Sequence, residues 1–190
     1  MSIKLGKPIT YFYQDIFIVT GAPLYAGFIS NIGLIIWSVT VGVCFFSFLV
    51  LRNILEDRKL PWFFFISGLF TLLLLFDDFF LFHEVIYPRY FSLNPTTTYV
   101  IYACLALVYL WYFRKTILTS DYLILITALG FFFMSNILDE FRERFLSDPN
   151  WIILEDGPKL LGITSWLIYF TFFGVKAIRD SLKSQTDSAL

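Results

Sequence analysis

Two adjacent carboxylates, Asp77 and Asp78, interrupt a stretch that otherwise has the composition of a membrane span. Leu72–Phe76 precedes them, and Phe79–Phe82 follows, then His83 and Glu84. On the biological insertion scale an Asp at mid-bilayer costs about 2.5–3.5 kcal/mol. A chain that keeps two must hold them in a protein interior, at an interface, or on a bound cation or proton. Further acids stand at Asp139, Glu140, Glu143, Asp148, Glu155 and Asp156. Carboxylates with a lone imidazole suit a hard or borderline divalent cation such as Mg, Ca, Mn, Fe or Zn. The candidate ligands are Asp77, Asp78, His83, Glu84, Asp139, Glu140, Glu143, Glu155 and Asp156. A catalytic zinc usually takes two or three His or Cys ligands, and a helical di-iron site two Glu-x-x-His pairs. This chain has one His in total. Without metal, acids crowded in a low dielectric hold shared protons, which suits proton-coupled work or acid–base catalysis. Asp78, His83 and Glu140 are the candidate catalytic groups. No phosphate-binding loop, dinucleotide fingerprint, Ser nucleophile elbow or Cys–His pair occurs.

The elements that must position these groups are membrane helices. Hydrophobic residues make up 58% of the chain and charged residues 15%, with mean hydropathy +0.73. A soluble domain is about 45–50% apolar and about 25% charged. The expected fold is therefore an all-α, polytopic membrane helix bundle, integral and multipass, in contact with the lipid bilayer. The net charge of −1 gives no basis for nucleic-acid binding. Cys44 and Cys104 both fall in apolar spans and read as small packing residues. No small-x-small site follows Lys4 and Lys7, so no cleaved signal peptide is expected.

A spanning helix needs about 20 mostly apolar residues. Five stretches qualify: about Tyr25–Leu51, Pro61–Tyr87, Thr96–Phe113, Asp121–Phe145 and Pro158–Ile178. Residues 1–24 form an N-terminal segment, 25–180 the bundle and 181–190 a polar tail. Ile9–Val19 is apolar and aromatic but contains Asp15 and ends at Gly21-Ala22-Pro23. It reads as an interfacial helix, with a sixth span as the alternative. Eight of the fourteen Lys and Arg residues fall on one side: Arg52, Arg58, Lys59, Arg114, Lys115, Lys176, Arg179 and Lys183. That side, with the C-terminus, is expected to be cytoplasmic.

Depth then gathers the acids. At about 1.5 Å per residue, Asp77 lies about 24 Å beyond Pro61, and Glu140 about 29 Å beyond Asp121. Glu155 and Asp156 stand just before the fifth span. All reach one level near the outer boundary of the hydrocarbon. On a continuous helix Asp77 and Glu84 share a face, while Asp78 and His83 look aside. Asn136, Asp139, Glu140 and Glu143 form one stripe on the fourth span. Gly27, Asn31, Ser38 and Gly42 form a small and polar stripe suited to interior packing. Tyr99, Tyr102, Ala106 and Tyr109 share a face of the third. The bland readings are structural: Tyr hydroxyls or helix termini could satisfy Asp77 and Asp78, and Glu155 could pair with Lys159 four residues on.

Two sets of residues carry a resemblance. Tyr13-Gln14-Asp15 with Ala26-Gly27-Phe28-Ile29-Ser30-Asn31, and Phe82-His83 with Leu138-Asp139-Glu140, resemble elements of the alkaline ceramidase-like membrane hydrolase superfamily. That resemblance implies zinc hydrolysis of a lipid-like substrate, with His83 as a ligand. Family members have seven spans and a closing His pair; here there are about five spans, and Lys159–Trp166 holds no His. Asp-Asp-x4-His-Glu and Glu-Asp-Gly-Pro-Lys-Leu-Leu-Gly are similar to patterns in uncharacterised bacterial multipass membrane proteins, which implies no activity. Three functions therefore stay open. The first is an outward-facing carboxylate/His site for a metal cation or protons. The second is a membrane-embedded hydrolase or oxidase acting on a lipid-like substrate. The third is a non-catalytic subunit or assembly factor of a membrane complex.

Overall fold

A computed structural model describes residues 13–91, 95–145 and 152–188, without the side chains of 83, 84, 95, 96, 140–145 and 152–155. The described residues are helical, with no strand among them. The short helix α1 (Ile16–Thr20) starts where the Asp15 carboxylate accepts the Phe17 N–H, and ends at Gly21 with φ 68°. Then come α2 (Phe28–Ile54) and α3 (Lys59–Phe80), followed by a π-helical turn (Phe82–Ile86) and α4 (Tyr87–Phe91). The chain continues through α5 (Pro95–Tyr112), α6 (Arg114–Leu118), α7 (Tyr122–Phe145) and α8 (Ile152–Ser188). Four helices are long and apolar enough to cross a membrane: α2, α3, α7 and α8; α5 is a shorter apolar helix over Thr97–Tyr112.

Helix α2 packs between α3 and α8, and α8 packs in turn on α7. Small residues set these close approaches. A Cβ on Gly174 of α8 would stand 2.6 Å from the Ser47 hydroxyl of α2, and one on Gly162 would meet the Phe132 ring of α7 at 2.8 Å. Phe63 is fully buried at the centre of an aromatic cluster with Phe64, Tyr109, Phe113, Phe170 and Phe173. The core is concentrated toward the basic end. There the Ser67 hydroxyl donates to the Phe63 carbonyl and receives Tyr109, and Ser120 donates to Ile117 and receives Tyr169. Arg58 donates to the Arg52 carbonyl across the α2–α3 turn, and Gln185 of α8 reaches the Ile54 carbonyl of α2.

Four expectations need correction. The second span does not run on to Tyr87: α3 stops at Phe80, because Leu81 adopts a left-handed conformation with φ 54°. The chain changes direction there, so a continuous-helix phase relating Asp77 to Glu84 does not hold. Pro158 does not begin the last span but lies inside α8, where it removes one backbone hydrogen bond. The stripe Gly27, Asn31, Ser38 and Gly42 faces outward; the buried face of α2 is Gly33, Trp37, Thr40, Cys44, Ser47 and Leu51. The indole of Trp37, which meets Trp166 of α8, and the close approach of Ile163 of α8 to Gly33 select that face over the polar one. Cys44 is buried there as a packing residue, whereas Cys104 lies on an exposed face of α5.

Candidate functional site

At the end of the bundle opposite the basic side, α2, α3, α5, α7 and α8 surround a cavity of about 310 Å3. Asp77 and Asp78 enter it from the last turn of α3. Adjacent residues on a helix point about 100° apart, so each takes a different partner helix. Asp77 is 4% exposed, and its Oδ1 accepts the Tyr102 hydroxyl of α5 at 2.7 Å. Asp78 turns toward α2 and α8. Its Oδ1 accepts the Lys159 ammonium at 2.7 Å, and its Oδ2 accepts the Trp37 indole N–H at 3.0 Å. From α7, the Oδ2 of Asp139 accepts the Tyr99 hydroxyl at 3.0 Å. Helix α5 thus bridges α3 and α7 through two tyrosines one turn apart.

The wall is aromatic. Trp37, Phe70, Tyr99, Tyr102, Phe132, Phe133 and Trp166 all line the cavity, with Ser135 and Asn136 of α7 beside them. Trp37 stacks on Phe132 at 5.7 Å and meets Trp166 edge-on at 6.4 Å. Below, the Trp166 indole donates to Thr71, whose hydroxyl donates to the Ser67 carbonyl. This chain of bonds satisfies the Trp166 indole and the Thr71 hydroxyl and fixes the rings.

Of the acids expected at one level, Asp77, Asp78 and Asp139 line this cavity. Asp156 stands apart, in a smaller recess of about 20 Å3 between α2 and α8 that Asp78 and Lys159 also line. Asp78 looks aside from Asp77, yet it still lines the cavity; its side chain is 15% exposed and pairs with Lys159. The side chains of His83, Glu84, Glu140, Glu143 and Glu155, and all of Asp148, lie outside the described residues. Among the described residues no three His, Cys, Asp or Glu side chains stand close enough to hold a metal ion. The inward Tyr face of α5 is as the spacing predicts, with Tyr99 and Tyr102 on the carboxylates and Tyr109 on Ser67.

Sequence reasoning missed Lys159 and Trp37 as partners of Asp78. Lys159 was legible only as the second half of a local pair with Glu155, since Asp78 is 81 positions away. The available signal was depth: an ammonium at the outer end of the expected fifth span sits near the level expected for Asp77 and Asp78. For Trp37 the signal was the indole N–H, a donor that needs a partner once buried.

The molecule is thus an all-α bundle with helices able to cross a membrane and a polar, aromatic-walled cavity at one end. The chain belongs to the family described as "Domain of unknown function (DUF8692)", whose match covers residues 1–173. No curated protein and no solved structure matches it.

Proposed function

We propose that this is a five-span integral membrane protein whose cavity is an outward-facing cation-binding site, with an organic ammonium group or protons as the cation. The single observation that carries this is the makeup of the cavity: three carboxylates and seven aromatic rings around about 310 Å3. Ammonium groups are held by carboxylates and by the faces of aromatic rings together. A bare divalent metal wants several free oxygens converging at about 2.0–2.6 Å. Here the three described carboxylates already take Tyr102, Tyr99, and Lys159 with Trp37. In this reading α5 completes the five spans, the exposed α1 lies at the interface, and the basic end with the C-terminus is cytoplasmic. The clustering of Arg52, Arg58 and Lys59 near the α8 terminus, through the Gln185 contact with Ile54, supports that orientation.

A lipid-hydrolase reading draws on the same cavity, since Asp78 and Asp139 reach it from separate helices. It assigns the chemistry to Asp78, His83 and Glu140, in line with the ceramidase-like resemblance. Thermal melts of the purified protein in detergent test the proposal. Propylammonium or tetramethylammonium is expected to raise the melting temperature of wild type, and not that of Asp77→Asn with Asp139→Asn. Stabilisation by Mg, Mn or Zn in place of the ammonium ions would return the site to a metal. No response to any cation would leave the non-catalytic subunit as the better reading.

A further inference from the structure

The cavity is polar at one end and apolar at the other. Asp77, Asp78, Tyr99, Asp139 and Lys159 line the carboxylate end. Phe70 on α3, Ala106 on α5 and Trp166 on α8 each stand about 10 Å deeper along their helices than Asp77, Tyr99 and Lys159. On α7, Leu129 stands about 15 Å deeper than Asp139. Four helices thus build an upright crevice, with acids at one level and rings and small aliphatic groups beneath.

One side of the crevice reaches the surface of the bundle. The closest backbone packing of α5 is on the π-helical turn and α6, and it reaches α3 and α7 through the Tyr102 and Tyr99 side chains. Ala103 on α5, and Phe133 and Asn136 on α7, line the cavity and are exposed as well, Phe133 to 68%. Val100 and Leu107 share the exposed Ala103 face, and Ile137 shares that of Phe133. The opening between α5 and α7 is therefore bordered by apolar side chains. Phe133 stands about 16 Å along α7 from Tyr122, in the middle of a hydrocarbon layer about 30 Å thick. What meets an apolar opening at that depth is a hydrocarbon chain.

Asn136 marks the level of the head. It stands between the carboxylates and the apolar half, about 21 Å along α7 from Tyr122, and is exposed at the opening. One of its amide N–H groups donates to the Phe132 carbonyl. A carboxamide has a second N–H and an oxygen, and leaving them in hydrocarbon is costly. A neutral hydroxyl-bearing head both donates and accepts, so it matches a carboxamide. It also slides in from the lipid without carrying a charge through hydrocarbon. The carboxylates already hold Tyr99, Tyr102, Trp37 and Lys159, and the head needs nothing further from them.

We infer that the crevice holds one chain of a neutral, hydroxyl-headed lipid, with its head at Asn136 and its chain running down between α5 and α7 onto Ala106, Leu129 and Trp166. This rests on the membrane-spanning reading and goes beyond its cation site, which takes the carboxylate end and leaves the apolar half to the lipid.

The test uses the full chain in nanodiscs of zwitterionic lipid, with a monoacylglycerol carrying a photoreactive diazirine midway along its chain. Adducts mapped by mass spectrometry are expected on Leu129 and Trp166. Trp166 is 1% exposed, so lipid touching the outside of the bundle does not label it. Excess unlabelled monoacylglycerol is expected to suppress these adducts. Asn136→Leu is expected to reduce them about fivefold, the worth of one hydrogen bond, without lowering the melting temperature. Ala106→Trp fills the crevice and is expected to abolish them; should it misfold, the competition and Asn136→Leu decide. Adducts confined to exposed residues such as Leu107 and Phe133, or Trp166 adducts indifferent to the competitor, would overturn the lipid. Equal labelling of Asn136→Leu, or stronger labelling by an alkylamine of matched chain, would overturn the neutral head. Competed Trp166 adducts without a thermal response to propylammonium would keep the lipid and remove the cation. A thermal response without those adducts would do the reverse.

Discussion

Asp78 and Lys159 are the residues at which the site can be taken apart. Lys159→Met leaves a carboxylate that is 15% exposed and holds the Trp37 indole N–H but has lost its ammonium. A buried polar group deprived of a partner costs about 1–3 kcal/mol, and more for charge. The single variant should therefore melt earlier than wild type, and adding Asp78→Asn should recover part of the loss. A double-mutant cycle from melts in detergent measures this; strictly additive effects would mean the pair is not coupled. The same logic separates binding residues from structural ones. Asp77→Asn keeps the shape and an acceptor for Tyr102, so it should lower cation binding with little change in stability. Asp77 and Asp78 were legible in the sequence because charge inside an apolar run is conspicuous. Lys159 was not, because a near neighbour, Glu155, offered a local explanation, and a single sequence gives no measure of contacts across the bundle.

At the scale of helices, packing is set by small residues that hydropathy does not distinguish. Gly174 meets Ser47 so closely that Gly174→Ala should destabilise by about 1–3 kcal/mol. The offending atom is the Ser47 hydroxyl, since the Ser47 Cβ lies at an ordinary 3.6 Å from the added methyl. Ser47→Ala in the same chain should restore the melting temperature, and failure to do so would place the strain elsewhere. The stop at Leu81 gives a second test. A left-handed conformation in a non-glycine residue costs about 1–2 kcal/mol, and Leu81 is 43% exposed. Leu81→Gly should leave stability unchanged or raise it, whereas β-branched Leu81→Val should lower it; both are read by the same melts. Four helices able to span were legible from about 20-residue apolar windows, and the basic end of the bundle from Arg and Lys. The break at Leu81 was not, because Leu72–Phe82 contains neither Gly nor Pro and is apolar apart from Asp77 and Asp78. The buried face of α2 was misread for a related reason. A rule that sends small polar residues inward pointed to Asn31 and Ser38, while the space around Trp37 fixed the rotation.

For the molecule as a whole, one level of polar groups faces one basic end. A cysteine introduced near Asn150 should react with a membrane-impermeant maleimide added outside, in a background with Cys44 and Cys104 replaced. One at Ser188 should react only after the membrane is opened. The reverse pattern would invert the bundle and turn the cavity toward the cytoplasm. Composition alone pointed to the class of fold: 58% apolar residues match four helices long and apolar enough to cross a membrane. Cavity shape was not legible, because it depends on α5 meeting α3 and α7 through Tyr99 and Tyr102, a separation set by side-chain length and not by sequence pattern.

Helix α8 has 37 residues, about 55 Å of rod against a hydrocarbon layer of about 30 Å. Its far turns, from Leu182 to Asp187, are exposed. Lys159 grips the cavity near one end, and the Gly174 contact with Ser47 lies near the middle, so the helix has the anatomy of a lever with a fulcrum. A small tilt at Lys159 would swing the far end the other way, by a comparable amount. Spin labels at Ser184 and Asp57, with their separation measured by pulsed electron resonance with and without bound ammonium, would read the stroke directly. An unchanged distance would mean that the rod is only a post.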